Sequence, residues 1–413
     1  MPSMLTHLRA STAMLILTLV SAAYSLVDQA SVARISSAHL YAQGLLTGVA
    51  VFSAVVARIV GQTLIVSQSG EDFSRPAQLI FLTLLPFLIA IGGLVSFGSD
   101  AIGLSHVAGI KSFAWLMGLG AWLTGYSLLQ KFQFIANDRI WSAMRADLLG
   151  NIVNLLGNLA ALTLGRDDSE KFVGVALATI ISQSAVSIYL KLTAPNPAPV
   201  TLTAYALKMR GVITGEAAIG LAQALLPTLV VFLGGKFYGE RIGAALAVGI
   251  AIGFFVDRPF AANTIIGIRR LCAAITPQER DERSRDIKRV MMLWMTAALL
   301  VAPVLPRLIQ SFYVIDAAQT AVVLALVTAI LCRAAASPIV ALAKSARRHG
   351  ALSKIEWVTG DVAVCCGLIF SAAWSHGGQS ERLLMLVIIL PAIAWSFAVW
   401  RTGTRLSGYL GTT

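Results

Sequence analysis

Twelve apolar runs of about 20 residues recur along the sequence, at approximately 10–31, 40–67, 77–98, 107–130, 146–165, 172–192, 211–234, 242–265, 290–311, 318–343, 355–375 and 383–401. A helix needs about 20 apolar residues to cross the hydrocarbon core of a bilayer. The composition agrees: 57% of residues are hydrophobic and 13% charged, against roughly half and a quarter in a soluble domain, and the mean hydropathy is +0.77. The expected fold is an all-α polytopic membrane protein of about 12 transmembrane helices. No loop is long enough to hold a soluble domain; the longest, about 266–289, carries ITPQERDERSRDIKR and is expected to form a short surface helix.

The first run lies behind Arg9 and contains Ser21-Ala22-Ala23, the small-residue pattern of a cleavable signal. Because the remainder is itself a bundle that needs an initial span, the run is read as helix one. Counting Lys and Arg in alternate connections gives twenty-one on the side of the N-terminus and seven on the other, which predicts both termini cytoplasmic. The net charge of +12 is then a positive-inside signature with attraction to anionic headgroups, so membrane lipids and not nucleic acid are the expected partners. Four cysteines show no metal-ligand or CxxC spacing and are expected to pack. No P-loop or metal motif occurs, so no cofactor or metal is expected. The five histidines fall near helix ends and are expected to be interfacial.

The Pro-rich connector LTAPNPAPVT at 192–201 divides the chain into halves of similar length. This predicts an N-terminal six-helix lobe over 1–192, a linker over 193–210 and a C-terminal six-helix lobe over 211–413. Gly44-x3-Gly48 recurs as Gly249-x3-Gly253, and RADLLGN at 145–151 resembles IEWVTGD at 355–361, at offsets of 205 and 210 residues. Six-helix repeats that start in the same direction place a central cavity between the lobes. Glycines on helix faces permit close approach.

Four basic residues fall inside the runs: Arg58, Lys111, Arg258 and Arg333. A charge at the bilayer centre costs at least about 2.5–3.5 kcal/mol, so such residues face the protein interior, where they pair or line a path. Lys111 is near the outer end of helix four and can extend to the headgroups. Arg58 shares a helix stripe with Gln43, Thr47, Ala54, Gln62 and Ser69, and Arg258 has Ala244, Ala247, Ala251 and Ala262 on its side. The candidate site for an anionic cargo is Arg58, Arg258 and Arg333 with Gln62 and Lys111. The alternative is that intramembrane acids neutralise these arginines, with Asp257, Asp28, Asp147, Glu216 and Asp361 as candidates.

SVARISSAHLYAQG at 31–44, through Arg34, Ser36, Tyr41 and Gly44, resembles the start of polysaccharide flippases of the Wzx or PST group. VGQTLIVSQSGED at 60–72 and LPTLVVFLGGKFYGERIGAALAVG at 226–249 look like later segments of the same group. GVALATIISQ at 174–183 fits helix six of that group and is shared with MATE exporters, and Asp28 in SLVDQASVA is similar to the first-helix acid that MATE proteins use for cation coupling. Glu216 departs from the place of the MATE helix-seven acid.

The resemblance implies the MOP superfamily, with two lobes and alternating access. It implies a transporter that flips an undecaprenyl-diphosphate-linked oligosaccharide across the bacterial inner membrane for surface polysaccharide assembly, beside a polymerase and export machinery. Arg58, Arg258 and Arg333 would hold the pyrophosphate, and Asp28 and Asp257 would couple ion movement. The alternative is a MATE-like proton- or sodium-coupled exporter of small molecules. A polymerase or ligase would need acid/base groups or a large outer loop, so no catalytic residue is assigned and an enzyme is not expected.

Overall fold

The computed structural model describes residues 2–67, 74–136, 139–193, 202–313, 315–374 and 380–410. Among them the helices are α1 (Pro2–Ala33), α2 (Ser37–Ser67), α3 (Ser74–Gly98), α4 (Ile110–Ala136), α5 (Ile140–Leu164), α6 (Asp168–Thr193), α7 (Leu202–Tyr238), α8 (Glu240–Cys272), α9 (Pro277–Val301), α10 (Leu305–Tyr313), α11 (Ala317–Ala334), α12 (Ser337–Ser345), α13 (His349–Ile355), α14 (Ala363–Trp374) and α15 (Ser380–Leu410). A π-helical segment, Glu356–Val362, joins α13 to α14. Eight of the described helices are long and apolar enough to cross a membrane, or nine if the bent pair α9 and α10 is one span. The long rods α2, α3 and α4 complete the twelve-helix arrangement.

Three of the expected spans depart from a regular rod, two by a break and one by a change of helical type. The ninth bends by 65° between α9 and α10. Pro303 lies in that break and Pro306 in the first turn of α10; a proline cannot continue the helix before it, because it lacks a donor and clashes with the preceding turn. The tenth stops at Ala334 and restarts as α12, whose first turn holds Pro338. The eleventh runs as α13, the π-helical turn and α14. By contrast Pro86, Pro227, Pro259 and Pro391 sit inside unbroken helices.

Two further boundaries differ from expectation. The charged segment is not a separate surface helix: the Thr276 side chain caps Glu279 N, Pro277 opens the helix, and α9 continues unbroken into the apolar run. Residues 202–210, expected in the linker, are the first turns of α7, and 194–201 lie outside the described residues.

In the first half α5 packs on α1 and α6, and α4 packs on α2, α3 and α6. In the second half α8 packs on α9, α11 and α12, and α15 packs on α11 and α14. The halves meet where α1 lies on α8 and α2 lies on α7 and α8. Small residues build this seam, because helix association in lipid depends on close van der Waals packing. A Cβ on Gly44 would overlap Ala247, and one on Gly220 would overlap Val55. The Tyr41 ring rests on the bare backbone of Gly235 and Gly243. Gly249 and Gly253 meet Leu326 and Ile330 of α11 in the same way. Three of the four recurring glycines thus mark close helix crossings, and the surroundings of the fourth, Gly48, lie outside the described residues.

Replacing Gly44 by Leu overpacks the seam and should cost about 1–3 kcal/mol. Gly98 has nothing within 4 Å of an added Cβ, which makes Gly98→Leu the control. Thermal unfolding in detergent should show a lowered midpoint for the first variant and an unchanged one for the second.

Candidate functional site

Asp28, on α1, is 8% exposed. Its Oδ1 accepts from Asn154 Nδ2 at 2.7 Å and Asn158 Nδ2 at 2.8 Å, and its Oδ2 accepts from Thr179 Oγ1 at 2.8 Å. Helix α5 supplies the two amides at i and i+4 on one face, and α6 supplies the hydroxyl. Neutral donors thus hold the carboxylate inside the N-terminal half. The amide oxygens of Asn154 and Asn158 are buried beside it without a hydrogen-bond partner. A carboxylate ringed by neutral groups and spare carbonyl acceptors can exchange a proton or a small cation without breaking an ion pair. Sequence reasoning does not single out these three partners; the available signal is the spacing Asp147, Asn151, Asn154, Asn158, a polar stripe on an otherwise apolar helix.

Two helical turns nearer the predicted cytoplasmic end, the same interface holds an ion pair. Lys131 Nζ lies 2.6 Å from Asp147 Oδ1, with the side chains 7% and 0% exposed. Ser21 Oγ donates to Asp147 Oδ2. Tyr24 OH donates to the Asp147 carbonyl at 3.2 Å. Lys131, assigned to a cytoplasmic connection by its sequence position, is a buried crosslink between α4 and α5.

The C-terminal half has two such clusters. Glu216 on α7 lies 2.7 Å from Lys344 Nζ and 2.8 Å from His349 Nδ1, so the acid serves Lys344 and His349 in place of the arginines suggested for it. Lys344 too is expected in a connection, and His349 at an interface. His7 and His39 are buried as well, His7 on Asn263 at 2.7 Å and His39 on the Ala108 carbonyl at 3.1 Å. His7, His39 and His349 are therefore buried in the protein, with an amide, a carbonyl and a carboxylate each meeting one ring nitrogen, while His7 Nδ1 and His349 Nε2 have no hydrogen-bond partner.

Arg333 ends α11, where the helix breaks and its carbonyl ends attract a cation. It pairs with Glu356 Oε1 and stacks 4.6 Å from the Trp395 ring centroid. Trp395 Nε1 donates to Glu356 Oε2 at 2.8 Å. Glu356 is buried to 3% exposure while the Arg333 side chain keeps 23%. A guanidinium has five donors and can serve a second anion.

The candidate residues do not all come together. Asp257 and Arg258 are adjacent and half-buried on α8, both engaged by other groups. Ala244, Ala247, Ala251 and Ala262, on the Arg258 side, are all buried, and Arg333 lies on α11, which packs against α8. Lys111 is exposed in the first turn of α4. Asp28 belongs to the separate pocket of α1, α5 and α6. The side chains of Arg58 and Gln62, and Ser69 of the same stripe, lie outside the described residues. No group of three or more metal-ligating side chains occurs among the described residues.

No family model matches the sequence, and no curated protein matches it. Solved structures do match the fold. A multidrug resistance MATE family transporter of the MOP superfamily in an outward-facing conformation is 14% identical, with a TM-score of 0.73 over 100% of this chain and 97% of that one. The inward-facing conformation of such a transporter is 15% identical, with a TM-score of 0.71 over 97% of this chain and 99% of that one. A MOP superfamily transporter from Pyrococcus furiosus, whose binding pocket has reverse polarity suggesting a different function, is 16% identical, with a TM-score of 0.68 over 100% and 97%. At this identity the likeness establishes the fold: twelve helices in the arrangement of these transporters.

Breaking a buried pair from one side leaves an uncompensated charge and costs about 3–5 kcal/mol. Lys131→Met should therefore strongly destabilise the protein, and Lys131→Met with Asp147→Asn should recover most of the loss. Unfolding midpoints of the two variants in detergent check this.

Proposed function

We propose that this chain is an alternating-access transporter of the inner membrane, with both termini cytoplasmic, that flips an undecaprenyl-diphosphate-linked oligosaccharide for surface polysaccharide assembly. The observation that carries the anionic cargo is Arg333, a cation at a helix break whose side chain keeps 23% exposure beside its buried Glu356 partner. Arginine binds phosphate through forked, permanently charged donors. Arg258 on the adjacent α8 and Arg58 on α2 supply further positive charge within the spans. Arg333 would meet the pyrophosphate with guanidinium donors that Glu356 does not use. Gln62 would stand beside Arg58, and Lys111 nearer the exit. The MOP transporter of reverse polarity supports the reading that this fold can carry a differently charged pocket.

The chain divides at the connector near 193–201 into two six-helix lobes, with 202–210 belonging to the second. The lobes rock about the small-residue seam of α1 and α2 on α7 and α8, so that the sugar crosses while the lipid tail stays in the bilayer. Asp28 carries the coupling ion, a proton or sodium, in its amide pocket, and Asp257 is a second acid for coupling. The chain makes and breaks no bond. Its lipid-linked product is handed to a polymerase and export machinery.

A second reading, a proton- or sodium-coupled exporter of small molecules, has a specific observation in its favour. Asp28 in helix one resembles the MATE coupling acid, and multidrug MATE transporters share the fold.

A deletion strain separates the two. Loss of surface polymer with unchanged drug tolerance is the expected result; lost drug tolerance with normal polymer would overturn the flippase. In complementation, Arg258→Ala and Arg58→Ala should each lower polymer export at least about tenfold, since a charge-assisted contact of about 1.5–3 kcal/mol is lost. Normal export at normal protein levels would remove that arginine from the site. Asp28→Asn should abolish ion-driven transport while the protein accumulates normally.

A further inference from the structure

Every other buried carboxylate named so far has donors. Asp28 has two amides and a hydroxyl, Asp147 has Lys131 and Ser21, Glu216 has Lys344 and His349, and Glu356 has Arg333 and Trp395. Asp361 is the exception. It is 4% exposed, and neither carboxylate oxygen has a hydrogen-bond partner.

Its position is unusual as well. Asp361 lies in the π-helical segment Glu356–Val362, which packs against α7, α13, α14 and α15. Single π-helical turns are rare and concentrate at functional sites. By the offset of 210 residues, this segment corresponds to α5 of the first half, the helix whose amides hold Asp28.

A bare carboxylate in such a place cannot stay ionised cheaply; it takes a proton or a counter-charge. The charged groups acting on it are Glu356, which repels its negative form, and Arg333, which attracts it. Helix α14 presents the Cys365 thiol, and α7 carries Glu216, already held by Lys344 and His349. Lys354 of α13 and Arg401 of α15 are exposed. A metal cation needs several oxygen ligands at once, whereas Glu356 is already taken and the guanidinium beside it repels a cation. A proton needs one lone pair.

We propose that Asp361 is a proton-carrying carboxylate of the C-terminal half, whose protonation state decides how Arg333 is shared with Glu356. With Asp361 neutral, Arg333 and Glu356 form a balanced pair, the arrangement seen here. When Asp361 gives up its proton, two carboxylates compete for one guanidinium. Arg333 Nη1 lies 3.7 Å from where a Cβ would stand on Gly360, the residue preceding Asp361, and its charge acts on Asp361 from there. A shift of Arg333 towards Asp361 would release Glu356 from its guanidinium and draw that guanidinium off the Trp395 ring, while Trp395 Nε1 keeps its bond to Glu356 Oε2. This step does not depend on which anion is carried or on the Asp28 pocket, and it joins proton binding to the arginine at the helix break.

The test uses the full chain in detergent with Asp28→Asn as background, which removes the first pocket. Folding stability is followed from about pH 5 to about pH 9, in sodium and in choline buffers. The neutral acid is the form the folded state prefers, so stability should fall as pH rises, by up to about tenfold in the unfolding constant per pH unit for one proton. Asp361→Asn should flatten that slope, and Asp361→Glu should restore part of it. Superimposed profiles with and without Asp361→Asn would overturn the proposal. So would a slope that depends on sodium and not on pH, which would make Asp361 a metal ligand. If Asp361→Asn does not fold, infrared spectra of the Asp28→Asn protein decide. A carboxylic-acid C=O band that disappears as pH rises, together with a shift in tryptophan emission, is expected; absence of that band would overturn the assignment.

Discussion

The absence of water in the hydrocarbon core decides how this molecule is held together. A charged side chain that enters a span is stabilised by protein groups and most readily by one on a neighbouring helix, because the solvent cannot supply a partner. The described ion pairs follow that rule within each half. Lys131 joins α4 to α5, Lys344 and His349 join α12 and α13 to α7, and Glu356 joins the π-helical segment to α11 and α15. The contacts described across the seam are of another kind. His7 meets Asn263, Gln29 reaches the Ala247 carbonyl at 3.4 Å, and His106 meets Glu240 at an exposed position. Around them the seam is Gly, Ala, Val and the Tyr41 ring. Charge crosslinks stiffen each half, while these seam contacts can separate without stranding a buried charge.

The fold is legible in the sequence because hydropathy is a property of whole segments. Twelve windows suffice to give twelve rods, and the breaks do not register because each involves few residues. Proline alone does not mark them: Pro86, Pro227, Pro259 and Pro391 are absorbed within helices, whereas the pair Pro303 and Pro306 and the run before Pro338 interrupt theirs. Neighbouring helices can satisfy the carbonyl that one proline frees, and that help is a tertiary fact.

The site is legible in part, for a similar reason. A charge in an apolar run stands out, which marks Asp28, Arg258 and Arg333. The partners of Asp28 do not stand out, because Asn154, Asn158 and Thr179 carry no charge and matter only once α5 and α6 are packed on α1. Lys131 and Lys344 sit at the edges of their windows and count as loop residues, yet they are 5% and 8% exposed. Removing both from the cytoplasmic tally leaves nineteen against seven, so the predicted orientation does not depend on them.

The kind of partner separates acids that can change charge from acids that cannot. Asp147 and Glu216 face ammonium groups. Protonating either would strand a buried cation, at a cost of several kcal/mol. Asp28 faces amides and a hydroxyl, which can donate to the carboxylate or, by turning the amide, accept from its acid form. Asp361 has no donor, and only the neutral acid suits its place until Arg333 moves. Two acids free to change charge, one in each half, lie on either side of a seam that holds no buried ion pair among the contacts described. Among the contacts described, an uptake of charge in one half can therefore alter that half's packing against the other without first breaking a buried ion pair.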